Sequence, residues 1–372
     1  MRLGIVFCLF VLLSCFQHDN GAVFDDLKTV VDSVRMRYVP DKRDNVYDIA
    51  VAFDDGTPVL RGVTSVAEAK TDLLGRIQEI CPDVLDSIRL LPDERLEGRF
   101  YGVANVSVAD LRTAPGYSAE MATQLLLGVS MQLLQARQGW YQVKTPEGYV
   151  AWIQRGTMVR MNHEQFRQWE EAPKIIFTDD YGFAYETPDA NRQRLSDLVF
   201  GSLLKYEDDE GAYYHVRFPD GREGYVLKTQ SRTFDEWQSS IRLTGESIVE
   251  KALELKGIPY TWGGTSVKAV DCSGYTKTVY LKHGIVLRRD ASQQATTGVP
   301  VDISDGYDRL LPGDLLFFGK IRVRHVAIYL GNLEFIHAAG YVHISSLDPA
   351  QTNYDAENTN DLVGARRFLS HE

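Results

Sequence analysis

Apolar residues in the first quarter of the chain recur with two different periods. In residues 23–34 and again in residues 66–80 they return every three or four positions, which is the spacing of an amphipathic helix. Residues 46–60 lie between these segments and are β-like, with a turn at Asp54-Asp55-Gly56. The pattern predicts a small α+β domain over residues 23–98, in which no catalytic group of residues stands out.

The pattern changes in residues 101–235 to short β-like runs broken by Gly and Pro, and it contains an internal repeat. Each copy has an aromatic-rich strand followed by Glu-Gly-Tyr-Val, at residues 147–150 and 223–226. We expect one small β-barrel over residues 99–160 and another over residues 174–235. These units resemble bacterial SH3-like domains, which commonly accompany cell-wall enzymes.

A cysteine stands at the predicted start of a helix in the last segment, residues 241–372. The run Asp271-Cys272-Ser273-Gly274 begins a helical pattern that stops at Gly284. The unpaired N–H groups and the positive dipole end of a helix N-terminus favour a thiolate, which is the nucleophilic form of cysteine. We therefore predict that Cys272 is a nucleophile, although a buried cysteine is more often inert.

Two histidines follow in adjacent β-like segments. His325 and His337 are twelve residues apart, and a two-residue turn at Gly331-Asn332 would place them on opposite faces of the hairpin. If one is the base and the other orients it, the hairpin needs a three-residue loop or a bulge, with Gly331 taking the unusual φ. A zinc site of Cys272 and the two histidines is the alternative, but a helix start explains nucleophilic use better.

These segments, in this order, resemble the NlpC-type papain-like cysteine peptidases. The resemblance covers residues 241–372 and rests on Tyr260-Thr261-Trp262-Gly263-Gly264, Asp271-Cys272-Ser273-Gly274, Leu311-Pro312-Gly313-Asp314-Leu315 and the two histidines. It implies that Cys272 attacks an amide, that His325 is the base and that His337 orients it. It also implies that Tyr260 helps to hold the oxyanion, and that neither a cofactor nor a metal takes part.

The layout of two SH3-like units before an NlpC-type domain resembles the γ-D-glutamyl-L-diamino acid endopeptidases, also called the dipeptidyl-peptidase VI type. The expected fold is multidomain α+β: a small α+β N-terminal domain, two SH3-like β-barrels and a C-terminal papain-like α+β peptidase domain. The resemblance implies cleavage of peptidoglycan stem peptides between D-Glu and the diamino acid, diaminopimelate or Lys. It also implies that these small peptides carry a free N-terminal L-Ala.

A free amine in a pocket needs anionic partners, and the resemblance implies five substrate contacts. They are Asp271, Ser273 and Asp290, with Glu120 and Tyr149 from the first SH3-like unit. Ala291 departs from the pattern, since a hydroxyl residue is expected directly after Asp290. Simpler roles are a helix N-cap for Asp271 and a solvated surface carboxylate for Glu120.

Two other functions fit the same residues. A D,L-endopeptidase that trims polymeric peptidoglycan would use the SH3-like units as wall anchors and would not require a free amine. A cell-wall-binding module with an inactive peptidase domain is the second alternative. The joint presence of Cys272, His325 and His337 disfavours it.

The net charge restricts the possible binding partners, and the cysteine content restricts the possible disulfide bonds. The net charge of −11 disfavours nucleic acid, because binding to phosphates depends on Lys and Arg. Beyond residue 22 the cysteines are Cys81 and Cys272, so the sequence offers no framework of several disulfides. A single bridge between them stays an alternative, and we expect a monomer.

The N-terminus has the pattern of an exported protein. Residues 1–22 combine Arg2 with an apolar run too short to span a bilayer, which is typical of a signal peptide. Leu12-Leu13-Ser14-Cys15 resembles the bacterial lipobox, which predicts a lipid anchor on Cys15. Cleavage near Asn20-Gly21-Ala22 with release is the alternative, and either outcome places the protein in the periplasm or cell envelope.

Overall fold

The computed structural model describes residues 20–369, with side chains from residue 24 onward. Most of the predicted signal peptide, including Cys15, lies outside the described residues. The chain divides into two compact units, Met1–Glu94 and Arg95–Glu372. Within residues 20–369, no helix has both the length and the apolar character needed to cross a membrane.

The N-terminal unit packs two helices on a three-stranded sheet. Its elements are α1 (Asn20–Tyr38), β1 (Tyr47–Asp54), β2 (Thr57–Thr64), α2 (Ala67–Ile80) and β3 (Leu85–Leu90). The antiparallel pair β1 and β2 and both helices confirm the sequence-based expectation, whereas β3, which pairs in parallel with β2, was not expected. The fully buried core combines helix and sheet side chains: Leu27, Val34, Leu60, Leu73 and Ile77.

The first barrel of the second unit is a seven-stranded antiparallel sheet with the order β10-β4-β7-β8-β9-β5-β6. Its strands are β4 (Tyr101–Ala104), β5 (Val108–Arg112), β6 (Met121–Leu126), β7 (Ser130–Arg137), β8 (Trp140–Lys144), β9 (Val150–Gln154) and β10 (Met158–Met161). Inward-facing apolar side chains close its core: Ala104, Leu111, Leu133, Val143 and Ile153.

The second barrel follows a short helix, α3 (His163–Glu171), whose N-terminus carries a capping box between Asn162 and Gln165. Its strands are β11 (Lys174–Phe177), β12 (Tyr181–Tyr185), β13 (Arg194–Val199), β14 (Leu203–Glu210), β15 (Tyr213–Arg217), β16 (Glu223–Leu227) and β17 (Ser231–Thr233). The sheet order is β13-β12-β16-β15-β14-β11-β17. The repeat in the sequence corresponds to the equivalent hairpins β8–β9 and β15–β16.

The C-terminal part packs helices against a six-stranded antiparallel sheet of order β20-β25-β21-β22-β23-β24. Its helices are α4 (Phe234–Ser240), α5 (Gly245–Glu254), α6 (Cys272–Leu281), α7 (Ala291–Gln294) and α8 (Ala356–Asn360). Its strands are β18 (Thr265–Ser266), β19 (Ala269–Val270), β20 (Val299–Val301), β21 (Leu315–Phe318), β22 (His325–Gly331), β23 (Glu334–Ala339), β24 (Tyr341–Ser346) and β25 (Leu362–Arg367). Helix α6 packs on β22 and β23, which carry the two predicted catalytic histidines.

Candidate active site

Cys272 is the first residue of α6, and its position depends on local capping. The Asp271 side chain caps the helix, its Oδ1 accepting from the Gly274 N–H at 2.7 Å. A Cβ at position 274 would clash with the Gly264 carbonyl, so glycine lets the first helical turn approach the preceding loop closely. The cysteine is thereby held, buried, at the end of α6 that faces β22.

The Asp271 carboxylate is fully engaged by protein donors. Oδ1 accepts from the Gly274 N–H, the Ser273 hydroxyl at 3.2 Å and Arg289 at 3.2 Å. Oδ2 accepts from Arg289 at 2.6 Å and from the Gly263 N–H at 3.0 Å. Two carboxylate oxygens offer about four lone-pair sites, so these donors occupy its accepting capacity. The N-cap role predicted for Asp271 is confirmed, and the paired Arg289 is itself buried.

The thiol of Cys272 is protonated in the substrate-free protein. Burial, reinforced by the negative charge of Asp271, raises its pKa to about 12. The backbone N–H groups of Val326 and Ser273 act in the opposite direction but do not prevail. A helix N-terminus contributes roughly 0.3–1 kcal/mol, which is less than the ~1.4 kcal/mol of one pKa unit. The helix start alone therefore does not lower the pKa of Cys272 below its ordinary value.

The hairpin of β22 and β23 places both histidines on one face. Ile328 pairs with Ile336, but closer to the turn Gly331 pairs with Glu334, so the register shifts by one residue. This is the bulge that was required for His325 and His337 to act together, and Gly331 has a φ of 105°. The two-residue turn itself is Asn332-Leu333, both with positive φ, one position later than expected.

The two histidines form a hydrogen-bonded pair next to the cysteine. His325 Nε2 lies 2.7 Å from His337 Nδ1. Val326, adjacent to His325, directs its backbone N–H to the cysteine sulfur, which places the start of β22 against Cys272. Burial lowers the pKa of His325 to about 4 and that of His337 to about 3, so both imidazoles are neutral near pH 7.

His337 has further partners on β24. Its Nε2 lies 3.2 Å from His343 Nε2 and 3.2 Å from the Ser345 hydroxyl. His343 is the cross-strand neighbour of His337, and its Nδ1 lies 3.0 Å from the Tyr341 carbonyl oxygen. The predicted pair is thus part of a chain of three imidazoles.

Tyr260 lies beside the cysteine in the strand-like segment that bridges to Val270. Burial, together with the nearby Cys272 and Asp271, raises the pKa of its hydroxyl above the ordinary value. The phenol is therefore a protonated hydrogen-bond donor throughout the neutral range.

The first barrel contacts the loop that precedes Cys272. The Trp262 indole N–H donates to Glu120 at 2.6 Å, and Gly263 packs closely against the Met121 carbonyl. Two residues further on, Thr265 hydrogen-bonds the side chain and the carbonyl of Gln124. The loop from residue 262 to 265 therefore binds Asp271 on one side and the edge of the barrel on the other.

The turn before β9 of the same barrel reaches α6. Glu147 lies 2.9 Å from Lys277, and their side chains are only 2% and 13% exposed. Tyr149 is buried and interacts electrostatically with Arg289. Asp290, the N-cap of α7, lies 3.9 Å from Arg289 and keeps 27% of its side chain exposed.

Comparison with known protein families now assigns this part of the chain. Residues 257–363 match the model of the NlpC/P60 family, and residues 111–156 match that of the bacterial dipeptidyl-peptidase Sh3 domain. Residues 257–363 are an NlpC/P60 domain. The chain is a peptidase of the cysteine type, and this NlpC/P60 domain contains the predicted catalytic residues Cys272, His325 and His337.

Relatives with an NlpC/P60 domain extend the similarity into the barrels. The chain is 28% identical over 263 residues to a gamma-D-glutamyl-L-lysine dipeptidyl-peptidase of Bacillus cereus, covering 67% of this chain and 76% of the relative. It is 28% identical over 275 residues to dipeptidyl-peptidase 6 of Lysinibacillus sphaericus, covering 69% and 96%. A crystal structure of an NlpC/P60 family protein from Bacillus cereus superposes with a TM-score of 0.63 at 25% identity, covering 73% of this chain and all of that one.

Sequence reasoning missed several residues around the NlpC/P60 site. Nothing in the local sequence marks Arg289 as the partner of Asp271, because the two residues are 18 positions apart. The alternation of Tyr341, His343 and Ser345 along β24 is a signal that one face of that strand continues the histidine pair.

The two histidines are spaced for a hydrogen bond to each other. Residues 20–369 contain no group of three or more His, Cys, Asp or Glu arranged to hold a metal ion. His325 Nε2 and His337 Nδ1 face each other at hydrogen-bond distance, which leaves no room for an ion between them.

Proposed function

We propose that this chain is a cysteine endopeptidase that hydrolyses the γ-D-glutamyl-L-diamino acid bond of peptidoglycan stem peptides with a free N-terminal L-Ala. The observation that carries the proposal is the loop bound to both the first barrel and Asp271. Through Trp262 it holds the Glu120 carboxylate of the barrel at the catalytic side of the NlpC/P60 domain. The relative from Bacillus cereus, a gamma-D-glutamyl-L-lysine dipeptidyl-peptidase, supports this bond specificity.

Catalysis starts from a neutral thiol and a neutral imidazole. As the sulfur of Cys272 bonds to the γ-carbonyl carbon of D-Glu, its proton moves to His325 and the carbonyl electrons move to oxygen. The Tyr260 hydroxyl donates to that oxyanion. His325 then protonates the amine of the diamino acid as the C–N bond breaks, which leaves a thioester on Cys272. Water hydrolyses the thioester with His325 again as the base.

We assign the binding of the L-Ala ammonium to two carboxylates whose side chains are accessible from solvent. Glu120 is exposed apart from its bond to Trp262, and Asp290 keeps part of its side chain accessible. We assign Tyr149 and Ser273 to the wall of the same pocket. Asp271 lacks a free acceptor site, so we assign it to positioning Arg289 and α6 and not to direct contact with the amine.

A digestion series tests the proposal. The full-length protein is incubated with the tripeptide L-Ala-γ-D-Glu-L-Lys, its diaminopimelate analogue, the N-acetylated tripeptide and intact sacculi, and products are identified by mass spectrometry. We expect L-Ala-γ-D-Glu from the free tripeptides, with the N-acetylated peptide cut roughly 10²–10⁴-fold less efficiently, using ~1.4 kcal/mol per tenfold. Cys272→Ala should abolish cleavage, and Cys81→Ala, which alters the other described cysteine, should not.

Two results would contradict the proposal. Equal rates on sacculi and on the free tripeptide would indicate a wall-trimming D,L-endopeptidase. Binding to sacculi without hydrolysis of any substrate would indicate an inactive wall-binding module.

We further propose that the protein acts in the cell envelope as a monomer after cleavage of the signal peptide within residues 1–22. Lipid attachment at Cys15 and simple release predict mature N-termini that differ in mass. Intact-mass analysis of the protein purified from membranes and from the soluble fraction distinguishes the two, and recovery of unprocessed Met1 in both would contradict export.

A further inference from the structure

A third imidazole continues the pair of catalytic histidines toward the edge of the sheet. His343 lies on β24, opposite His337, and their Nε2 atoms are 3.2 Å apart. The rings are 4.5 Å apart between centroids, with a tilt of 56°. His343 turns its other nitrogen, Nδ1, to the backbone carbonyl of Tyr341 at 3.0 Å.

The Tyr341 carbonyl, at the end of this row of imidazoles, determines which ring nitrogen of each histidine carries the proton. A carbonyl oxygen can only accept, so His343 Nδ1 carries a hydrogen and, in a neutral ring, its Nε2 accepts. His337 Nε2 must then donate to His343, which leaves His337 Nδ1 as an acceptor. His325 Nε2 must in turn donate to His337 Nδ1. The basic lone pair of His325 is therefore on Nδ1, the nitrogen that His337 does not bind.

Ser345 does not supply the same constraint. Its hydroxyl also lies 3.2 Å from His337 Nε2. A hydroxyl can rotate to donate or to accept, so it is compatible with either tautomer of His337. Among the groups around His337 Nε2, only His343 is bound on its far side to a fixed acceptor.

We propose that His343 is a positioning residue that sets the tautomer of the catalytic base His325 through His337. The proposal rests on the function proposed above, in which His325 takes the thiol proton. The row of three hydrogen-bonded imidazoles is also compatible with proton transfer. Once His325 is protonated, it still donates through Nε2 to His337, and no ring has to rearrange. A fixed tautomer matters because a triad histidine in the wrong one loses up to ~10⁴ in kcat.

Three substitutions of His343 separate this role from packing. His343→Glu places an acceptor-only group near His337, His343→Lys places a donor-only group there, and His343→Phe keeps an aromatic ring without a polar atom. We expect kcat on the free tripeptide to fall roughly two- to threefold for Glu, roughly tenfold for Phe and roughly 10²–10³-fold for Lys, within the loss known for a wrong tautomer. KM should change little, since a positioning role acts on the proton-transfer step and not on substrate binding.

Nitrogen-15 NMR of histidine-labelled protein gives a readout that does not depend on activity. In the wild type, Nε2 of both His325 and His337 should carry the proton and their Nδ1 should not. The His343→Lys variant should reverse this assignment at His337, whereas the Ser345→Ala variant should keep it.

Packing alone predicts a different order, with Phe least harmful and Glu and Lys equally harmful, and that order would overturn the proposal. Wild-type Nδ1-protonated imidazoles at His325 and His337 would overturn it as well. If the NMR assignment holds but Cys272→Ala remains active, the proposed peptidase mechanism fails and the tautomer chain does not.

Discussion

Cys272 and His325, the proposed nucleophile and base, are both neutral before substrate binds, and this has a measurable consequence at the scale of single residues. Burial shifts the pKa of Cys272 upward and that of His325 downward. In the proposed mechanism, the thiol proton therefore moves only as the sulfur attacks. A preformed thiolate–imidazolium pair would instead need the histidine to be protonated at rest.

The pH dependence of kcat/KM distinguishes these states. The pKa of His325 is lowered from 6.5 to about 4, so its basic form is present above that value and is lost as pH falls through it. We expect kcat/KM on the free tripeptide to stay nearly constant from pH 7 to pH 5 and to fall below about pH 4.5. Because His325 and His337 interact, the acid limb of the pH profile gives an apparent pKa of the histidine pair and not of one ring.

The same shift affects stability in the same direction. Unfolded histidine titrates near ~6.5, so stability contributed by the neutral buried ring is present above that pH and is lost as pH falls toward about 4. Unfolding curves recorded alongside the kinetics separate loss of base from loss of fold. An acid limb centred between pH 6 and 7 in a fully folded protein would contradict the neutral pair.

At the scale of secondary-structure elements, the spacing of apolar residues predicted where helices and hairpins lie. It did not predict how the strands pair or in which register. Both helices of the N-terminal unit and the equivalent hairpins of the two barrels follow from local spacing of apolar residues. The parallel pairing of β3 with β2 does not, because partners across a sheet are not encoded locally. The bulge between Tyr329 and Gly331 could be inferred only by assuming that the histidines act together.

The repeated Glu-Gly-Tyr-Val element has diverged in its two copies. Glu223 of the second barrel is 47% exposed and pairs at the surface with Arg217. Its counterpart Glu147 is buried against Lys277 of α6. Burial disfavours its charged form, but Lys277 outweighs this and lowers the pKa of Glu147. One copy is therefore a surface ion pair and the other fastens the first barrel to the helix that carries Cys272.

Removing one partner of this buried pair should be more harmful than removing both. Lys277→Met leaves the Glu147 charge buried without its cation, which destabilises a protein by roughly 3–5 kcal/mol. The double variant Glu147→Met/Lys277→Met removes both charges and should lose less than about 1.5 kcal/mol. Urea unfolding measures the free energies, with Arg217→Met in the second barrel as the matched control for a surface pair, expected to change stability by less than about 1 kcal/mol. Equal losses in the single and double variants would mean that the pair does not fasten the barrel.

At the scale of the whole molecule, the proposed substrate pocket depends on parts that are far apart in sequence. Trp262 and Glu120 are 142 residues apart, and no spacing or composition near either residue indicates their contact. Glu120 could be proposed from a family resemblance, whereas its hydrogen bond to Trp262 required the folded chain. Specificity is therefore expected to reside in the union of the first barrel and the NlpC/P60 domain.

Charge removal at Glu120 tests that union. Glu120→Gln keeps an oxygen that can accept from Trp262 but loses the negative charge that would face the L-Ala ammonium. A hydrogen bond to a charged group contributes roughly 1.5–3 kcal/mol, so kcat/KM for the free tripeptide should fall roughly 10- to 100-fold. For the N-acetylated tripeptide, which lacks the ammonium, the change should stay below about threefold. Glu210→Gln, the same substitution at an exposed position of the second barrel, should affect neither peptide.

The comparison of the two peptides determines how the Glu120 result is interpreted. A fall for the free peptide alone means that the carboxylate recognises the amine. An equal fall for both means that Glu120 serves only to hold Trp262 and its loop in place, since that role is independent of the substrate's charge. In that case the amine would have to be bound elsewhere, and Asp290→Asn, measured on the same two peptides, should then show the selective loss.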